Sequence, residues 1–232
     1  MYQKMLQNSY KREKKMGKKL VENDVVLEGL NWRYATKTYD QSKKVSDADW
    51  ATIEESITLA PSSFGIQPYK FIVINDPAVR EKLKPAAYGQ TAITDASHLV
   101  AFAYKKTLFD GDIEHFVERI TEVRGAPREA LLEYENVMKS SAKKAVDDGY
   151  IETWNSRQAY IPLGFLLYTS ALLGIDATPM EGFDPAQFNE ILGLTDHSVV
   201  VLAAVGYRDA ENDWLAPLAK VRKPDDEIIQ RI

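Results

Sequence analysis

A mixed fold of helices and strands, α+β or α/β in one domain, is predicted for this chain by three observations. Short runs rich in β-branched and aromatic residues alternate with longer helix-like segments. The helical share is unusually large. Neither an internal repeat nor a low-complexity linker interrupts the pattern across 232 residues, 45% of them hydrophobic, enough for one sizeable core.

The elements follow in order. Ser46-Asp47-Ala48-Asp49 resembles a capping box that opens a helix, with Trp50, Ile53, Ile57 and the nearby Leu59 on its apolar side. Ala60-Pro61 ends that helix. "YKFIVIN" (69–75) reads as a buried strand. Asp76-Pro77, a cap followed by proline at the first helical position, starts a short helix to about Lys84. "SHLVAFAY" (97–104) is a second strand, and residues 112–124 and 127–147 are two polar-faced helices parted by Gly125-Ala126-Pro127. "AYIPLGFLLYTSALLG" (159–174) reads as a helix that is apolar on nearly every side, so it must be covered all round, inside the core or against another subunit. Pro162 implies a kink in it or a place near its first turn. After a short strand, Asp184-Pro185 begins a helix to about Leu192, and "SVVVLAAVGY" (198–207) is a central strand.

Charge is uneven. Residues 1–20 hold seven Lys/Arg against Glu13 alone, a net of +6, which leaves −11 for the remainder of a chain whose total is −5. An acidic body argues against a nucleic-acid-binding surface. Residues 1–23 read as a basic N-terminal extension, native or added, with Met16 an alternative start, and residues 24–232 as the functional domain. The basic segment has no apolar stretch of the kind a secretory signal needs, and no run of eighteen apolar residues predicts a membrane span. The absence of cysteine removes disulfides, thiolate nucleophiles and thiolate metal sites, and agrees with a cytoplasmic setting. His98, His115 and His197 are scattered and lack metal-ligand spacing, so no metal site is expected, and each reads as a surface or satisfied core histidine.

Four stretches can carry chemistry. In "RYATKTYD" (33–40), Arg33 and Lys37 share a side in either a helix or a strand, as an anion site or as a solvated edge. "APSSFGIQPYKF" (60–71) can present backbone N–H groups and the Ser62 and Ser63 hydroxyls to a polar ligand, or form an ordinary helix-to-strand turn. "TPMEGFDP" (178–185) has a glycine that permits close approach to a flat ligand, or is a helix start capped by Asp184. In "KVRKP" (220–224), alternation puts Lys220 and Arg222 on one side of an extended segment, unless it is only a basic tail.

These four stretches, in this order and with Asp-Ala-Ser-His (95–98) between them, resemble the nitroreductase family of FMN-dependent NAD(P)H oxidoreductases, in its oxygen-insensitive nitroreductase and flavin reductase branch. The likeness runs from about Val25 to Arg222. It implies an α+β three-layer sandwich, with a mostly antiparallel sheet between helices, in an obligate dimer. It implies that Arg33, Lys220 and Arg222 bind the FMN phosphate, with Tyr34 and Ala35 beside them, and that Lys37 lies near the flavin pyrimidine edge. The backbone N–H groups of Glu181 and Gly182 would face N5 and O4, making Lys37, Glu181 and Gly182 the catalytic set, and Pro179 would pack beside the ring. Pro61, Ser62, Ser63 and Gly65 would reach the FMN of the opposite subunit, and Gly89 and Gln90 would complete the cofactor contacts. NADH or NADPH would be the cosubstrate and a planar small molecule the acceptor, in a ping-pong cycle. A flavin reductase that supplies a partner, or a flavin-holding protein with little turnover, are the alternatives.

The chain departs from the pattern at Gly65 and Gly89, where relatives usually carry asparagine, at Tyr69, commonly tryptophan, and at Ala92, where a polar residue is usual. The expected consequence is that Gln90 and Gln67 take over part of the missing hydrogen bonding. Pocket residues within 105–150 are not assigned, since Phe109, Phe116 and Tyr134 serve equally well as core aromatics.

Overall fold

The computed structural model describes residues 19–232. Residues 1–18, most of the expected basic extension, lie outside the described residues. The sheet has four strands, β1 (Tyr69–Val73), β2 (His98–Lys105), β3 (Asp176–Met180) and β4 (His197–Gly206), in the order β1-β2-β4-β3. Every neighbouring pair is antiparallel, so the fold is α+β.

Helices cover both faces. On one side α3 (Pro77–Ala86), the short α4 (Ala92–Asp95) and α8 (Pro185–Ile191) set Leu83, Ile93 and Phe188 against Leu99, Ala101, Leu202 and Ala204. On the other side α2 (Asp47–Thr58) and α7 (Ile151–Leu172) set Ile53, Ile57, Leu163 and Leu166 against Val100, Phe102, Val201 and Ala203. Burying each such Leu or Ile contributes about 1.5–3 kcal/mol, so the alternation of small and branched residues on β2 and β4 fixes the three layers. Opposite Phe102 and Ala103, β4 carries one extra residue, a bulge that turns Val199 to the α3/α8 side while Val200 and Val201 pack on the α2/α7 side. α5 (Asp110–Arg124) and α6 (Leu132–Asp147) build a separate cluster of Ile113, Val117 and Met138, joined by Ile151 and by Phe64 and Ile66 of the loop before β1. α9 (Asp225–Ile228) ends the chain's helices.

Caps follow the sequence signals. Ser46 Oγ accepts from Asp49 N at 3.1 Å, Asp76 from Ala78 N at 2.8 Å, and Asp184 from Ala186 N at 2.9 Å. The structure corrects several expectations. Leu59 is 70% exposed, because the stripe Trp50, Ile53, Ile57 continues to the buried Ala60. β1 is an edge strand, half-buried rather than buried, since it pairs with β2 alone. α7 starts at Ile151, eight residues before the apolar run, which puts Pro162 in mid-helix instead of its first turn. Of the two covers expected for it, the core of one chain leaves Ile161 and Phe165 exposed. An unexpected α1 (Asn23–Trp32) packs on α7, with the buried Gly29 facing Leu172. Its ten residues carry no side-chain cap to announce it. Two histidines are satisfied locally. His98 stacks on Trp50 with ring centroids 3.9 Å apart, and its Nδ1 lies 3.1 Å from Ser97 Oγ. His197 Nδ1 lies 2.7 Å from Asp196 Oδ1.

Candidate functional site

The site grows from "RYATKTYD", which runs extended after α1 and is stitched to the chain beyond β4. Asp40 N donates to Tyr207 O at 2.9 Å and Asp209 N to Thr38 O at 3.0 Å. The buried Asp213 carboxylate accepts from Lys37 N at 2.7 Å, Thr38 N at 3.2 Å, Leu215 N at 2.9 Å and the Tyr34 hydroxyl at 3.0 Å. Burial alone would push the Asp213 carboxyl up, but those donors hold it below the usual carboxylate value. Burial first, then the bond to the Asp213 carboxylate, pushes the Tyr34 hydroxyl up to about 12. Beneath the segment, Tyr39 OH lies 2.8 Å from Ala204 O and 3.0 Å from Thr178 Oγ1, and Thr178 donates to Thr36 O at 2.7 Å. The backbone at the site is thus anchored to β3 and β4.

Arg33, Tyr34, Ala35, Pro179, Lys220 and Arg222 line one cavity of about 550 Å³, with Trp32, Leu215 and Leu218 as apolar wall. Four cations line it: Arg208 pairs with Asp176, and Arg33, Lys220 and Arg222 converge beside it. Lys220 Nζ donates to Leu30 O and Arg33 O, both at 2.5 Å, which ties the C-terminal segment to the end of α1. Burial first, then Arg222, pushes the Arg33 pKa down, and burial, Arg33 and Arg222 lower that of Lys220. The Arg33 guanidinium is nearly unspent: Nη2 is 3.5 Å from Ala177 O, and Nε is buried with no hydrogen-bond partner. Gathering like charges around an idle buried donor is unfavourable unless an anion joins them. A guanidinium suits bidentate contact with phosphate and an ammonium serves as a point charge, so the donor set fits a phosphate monoester beside an apolar surface.

The other expected residues fall elsewhere. The Lys37 side chain is exposed and outside the cavity lining. Glu181 and Gly182 follow β3 as an exposed turn, where Gln90 reaches them. The Gln90 amide donates to Ala87 O at 3.0 Å and Gly182 O at 2.7 Å, and the Gln67 amide to Thr58 O at 3.2 Å. Both expected substitutes for the missing asparagines therefore spend amide protons within the chain. Gly89 has a φ of +75° beside Tyr88 at +56°. Pro61, Ser62, Ser63 and Gly65 do not line the Arg33 cavity within one chain. Ser62 Oγ accepts from Gln67 N at 3.0 Å, and Ser63 N donates to Gln158 Oε1 at 2.7 Å. Gly65 has a φ of +83°, and a Cβ there would lie 3.0 Å from the Phe116 ring, so the left-handed backbone and the ring together favour glycine.

Sequence reasoning missed Arg208, Asp176 and Asp213. The Arg208 guanidinium is sandwiched 4.2 Å from the Trp32 ring centroid and 4.5 Å from that of Tyr34. It pairs with buried Asp176, whose Oδ1 accepts from Arg208 Nε at 2.8 Å and whose Oδ2 accepts from Arg208 N at 2.9 Å. A lone acid opening a strand after an apolar helix, in "GID" (174–176), was the available signal for Asp176. Asp213 had none, because the partners that tie it to the site, Lys37 N and Thr38 N, are 176 and 175 positions away.

Comparison with known proteins gives the same architecture. A family model described as "Nitroreductase family" matches residues 30–207. A protein of Staphylococcus haemolyticus named "putative NAD(P)H nitroreductase" is 35% identical over 218 residues, covering 90% of this chain and 98% of that one. A Staphylococcus aureus protein of the same name is 34% identical over 217 residues, with 90% and 96% covered. Among solved structures, the Bacillus subtilis nitroreductase-type protein ydfN superposes with a TM-score of 0.81 at 22% identity, covering 91% of this chain and all (100%) of that one. An Exiguobacterium sibiricum protein, described as a nitroreductase in complex with FMN, superposes with a TM-score of 0.75 at 22% identity, covering 94% and 100%.

Proposed function

This chain belongs to the nitroreductase family, and from that premise we propose that it is an FMN-dependent NAD(P)H oxidoreductase, cytoplasmic and homodimeric, that reduces nitroaromatics, quinones or flavins. The observation that carries the reading is the cavity where Arg33, Lys220 and Arg222 converge around an Arg33 Nε with no acceptor. When bound, FMN supplies ping-pong hydride transfer through N5, from NADH or NADPH to a planar acceptor.

The chain's own residues bind and orient. Arg33, Lys220 and Arg222 hold the phosphate, and Trp32 and Pro179 offer apolar surface beside it. Lys37 would supply a cation for the negative charge of a reduced ring, and such a cation would raise the tendency to accept hydride. The backbone N–H groups of Glu181 and Gly182 would serve as donors to the ring. No nucleophile or metal of the protein takes part. A second copy of the chain belongs to the proposal because Pro61–Gly65 stand apart from the Arg33 cavity within one chain. The exposed face of α7, with Ile161 and Phe165, is suited to an interface that would bring the loop to the partner's cavity.

Titration with FMN tests the reading. The expected result is a yellow protein whose flavin band bleaches with NADH or NADPH and returns on adding a quinone or nitroaromatic. A protein that takes up no FMN would overturn it.

A further inference from the structure

The Glu181–Gly182 turn is gripped from two sides by side chains that the family resemblance leaves without this role. From α7, the Tyr160 hydroxyl donates to Glu181 Oε1 at 2.5 Å. From the turn after α3, Gln90 Nε2 donates to Gly182 O at 2.7 Å. The grip is close: a Cβ on Gly182 would come within 3.3 Å of the Gln90 amide. Gln90 is delivered by two successive left-handed residues, Tyr88 at φ +56° and Gly89 at +75°, a conformation a tyrosine adopts only when its surroundings impose it. Its own amide is tethered a second time, to Ala87 O at 3.0 Å. The far side of the turn is closed by Phe183 N to Glu181 O at 2.9 Å and Asp184 N to Ala86 O at 2.8 Å.

The backbone N–H groups of Glu181 and Gly182 themselves donate to no protein group among the described residues. They belong to a turn whose carboxylate and carbonyl are both held. We infer that Tyr160 and Gln90 are positioning residues, a two-sided clamp that sets the direction of the Glu181 and Gly182 N–H groups. The role of those N–H groups rests on the functional reading above, whereas the clamp does not. Burial and the Glu181 carboxylate raise the Tyr160 pKa, so its hydroxyl remains a donor at neutral pH. Preorganised donors stabilise developing charge without reorganising, and that is what a clamp secures.

The test uses the full chain with Tyr160→Phe and Gln90→Leu. Without FMN, amide hydrogen exchange at Phe183 and Asp184 is expected to quicken about 2- to 10-fold in each variant, the equivalent of one lost hydrogen bond. With FMN, the midpoint potential of the bound flavin is expected to fall in both, while in Tyr160→Phe FMN affinity changes by less than about 3-fold because the cation cluster is untouched. Unchanged exchange in both variants would overturn the clamp, and faster exchange with an unchanged potential would overturn the positioning role. A parent that takes up no FMN would sink the functional reading instead, and exchange alone would then uphold or overturn the clamp.

Discussion

Arg33 and Lys37 stand four residues apart in surroundings that divide their roles. Arg33 is half-buried among Lys220 and Arg222, with its Nε lacking a partner, whereas Lys37 is exposed and outside that cavity. What places them is the backbone between, held by Asp213 through Lys37 N and Thr38 N and by Thr178 through Thr36 O. Arg33→Ala is expected to weaken FMN binding by about 10- to 100-fold, the loss of a charge-assisted bond of about 1.5–3 kcal/mol. Lys37→Ala is expected to lower the flavin's midpoint potential and slow its reduction by NADH or NADPH with a much smaller effect on affinity. Fluorescence titration and spectroelectrochemistry of both variants check the division, and equal losses of affinity with no change in potential would refute it.

At the scale of elements, the loop between α2 and β1 shows how a local conformation overrules a family's usual residue. Phe64, Gly65 and Gln67 all have positive φ, at 57°, 83° and 54°. The loop survives this because it is tied at several points. The Tyr134 hydroxyl donates to Phe64 O at 2.8 Å, Gln158 accepts from Ser63 N, and Phe64 packs edge-on against Tyr134 and Trp154. The loop is therefore a part of the α5–α6 cluster more than of the sheet. Gly65→Ala is expected to cost about 1–2 kcal/mol for a left-handed alanine, with the Phe116 ring displaced as well. Chemical denaturation of parent and variant measures it, and an unchanged midpoint would mean the loop relaxes freely.

For the whole molecule, the three layers account for the interior and leave apolar surface over. Leu59, Ile161, Phe165 and Leu172 are exposed around α2 and α7, and Val221, Ile228 and Ile229 near the C-terminus. An open groove between α2, β1 and α7, lined by Ile57, Leu59, Phe71 and Val73 and of about 830 Å³, continues that surface. Exposed apolar side chains grouped beside an open groove are what a partner would cover. The expected state in solution is a dimer of the 26.2 kDa chain. Phe165→Glu, which puts a charge on the exposed face of α7, is expected to shift it towards monomer and to cost FMN affinity in parallel. Sedimentation velocity with FMN titration decides this, and a monomeric parent that binds FMN with full affinity would refute the shared site.

The sequence alone determined whatever depends on neighbours along the chain. Caps at Ser46, Asp76 and Asp184, the strands β2 and β4, and the helices on either side of Gly125 were all readable from periodicity and turn chemistry. The ordered motifs identified the family, and with it the grouping of Arg33, Pro179, Lys220 and Arg222 that the fold assembles in one cavity. The tertiary structure alone decided what depends on distant partners. Nothing in "DWLAP" (213–217) shows that Asp213 staples a segment some 175 residues earlier, nor that Arg208 lies between Trp32 and Tyr34 above Asp176. Nor does the sequence show that the Gln90 amide reaches Gly182 O, 92 positions away. A hydrogen bond is set by where two atoms meet in space, and only folding brings together positions that the sequence keeps far apart.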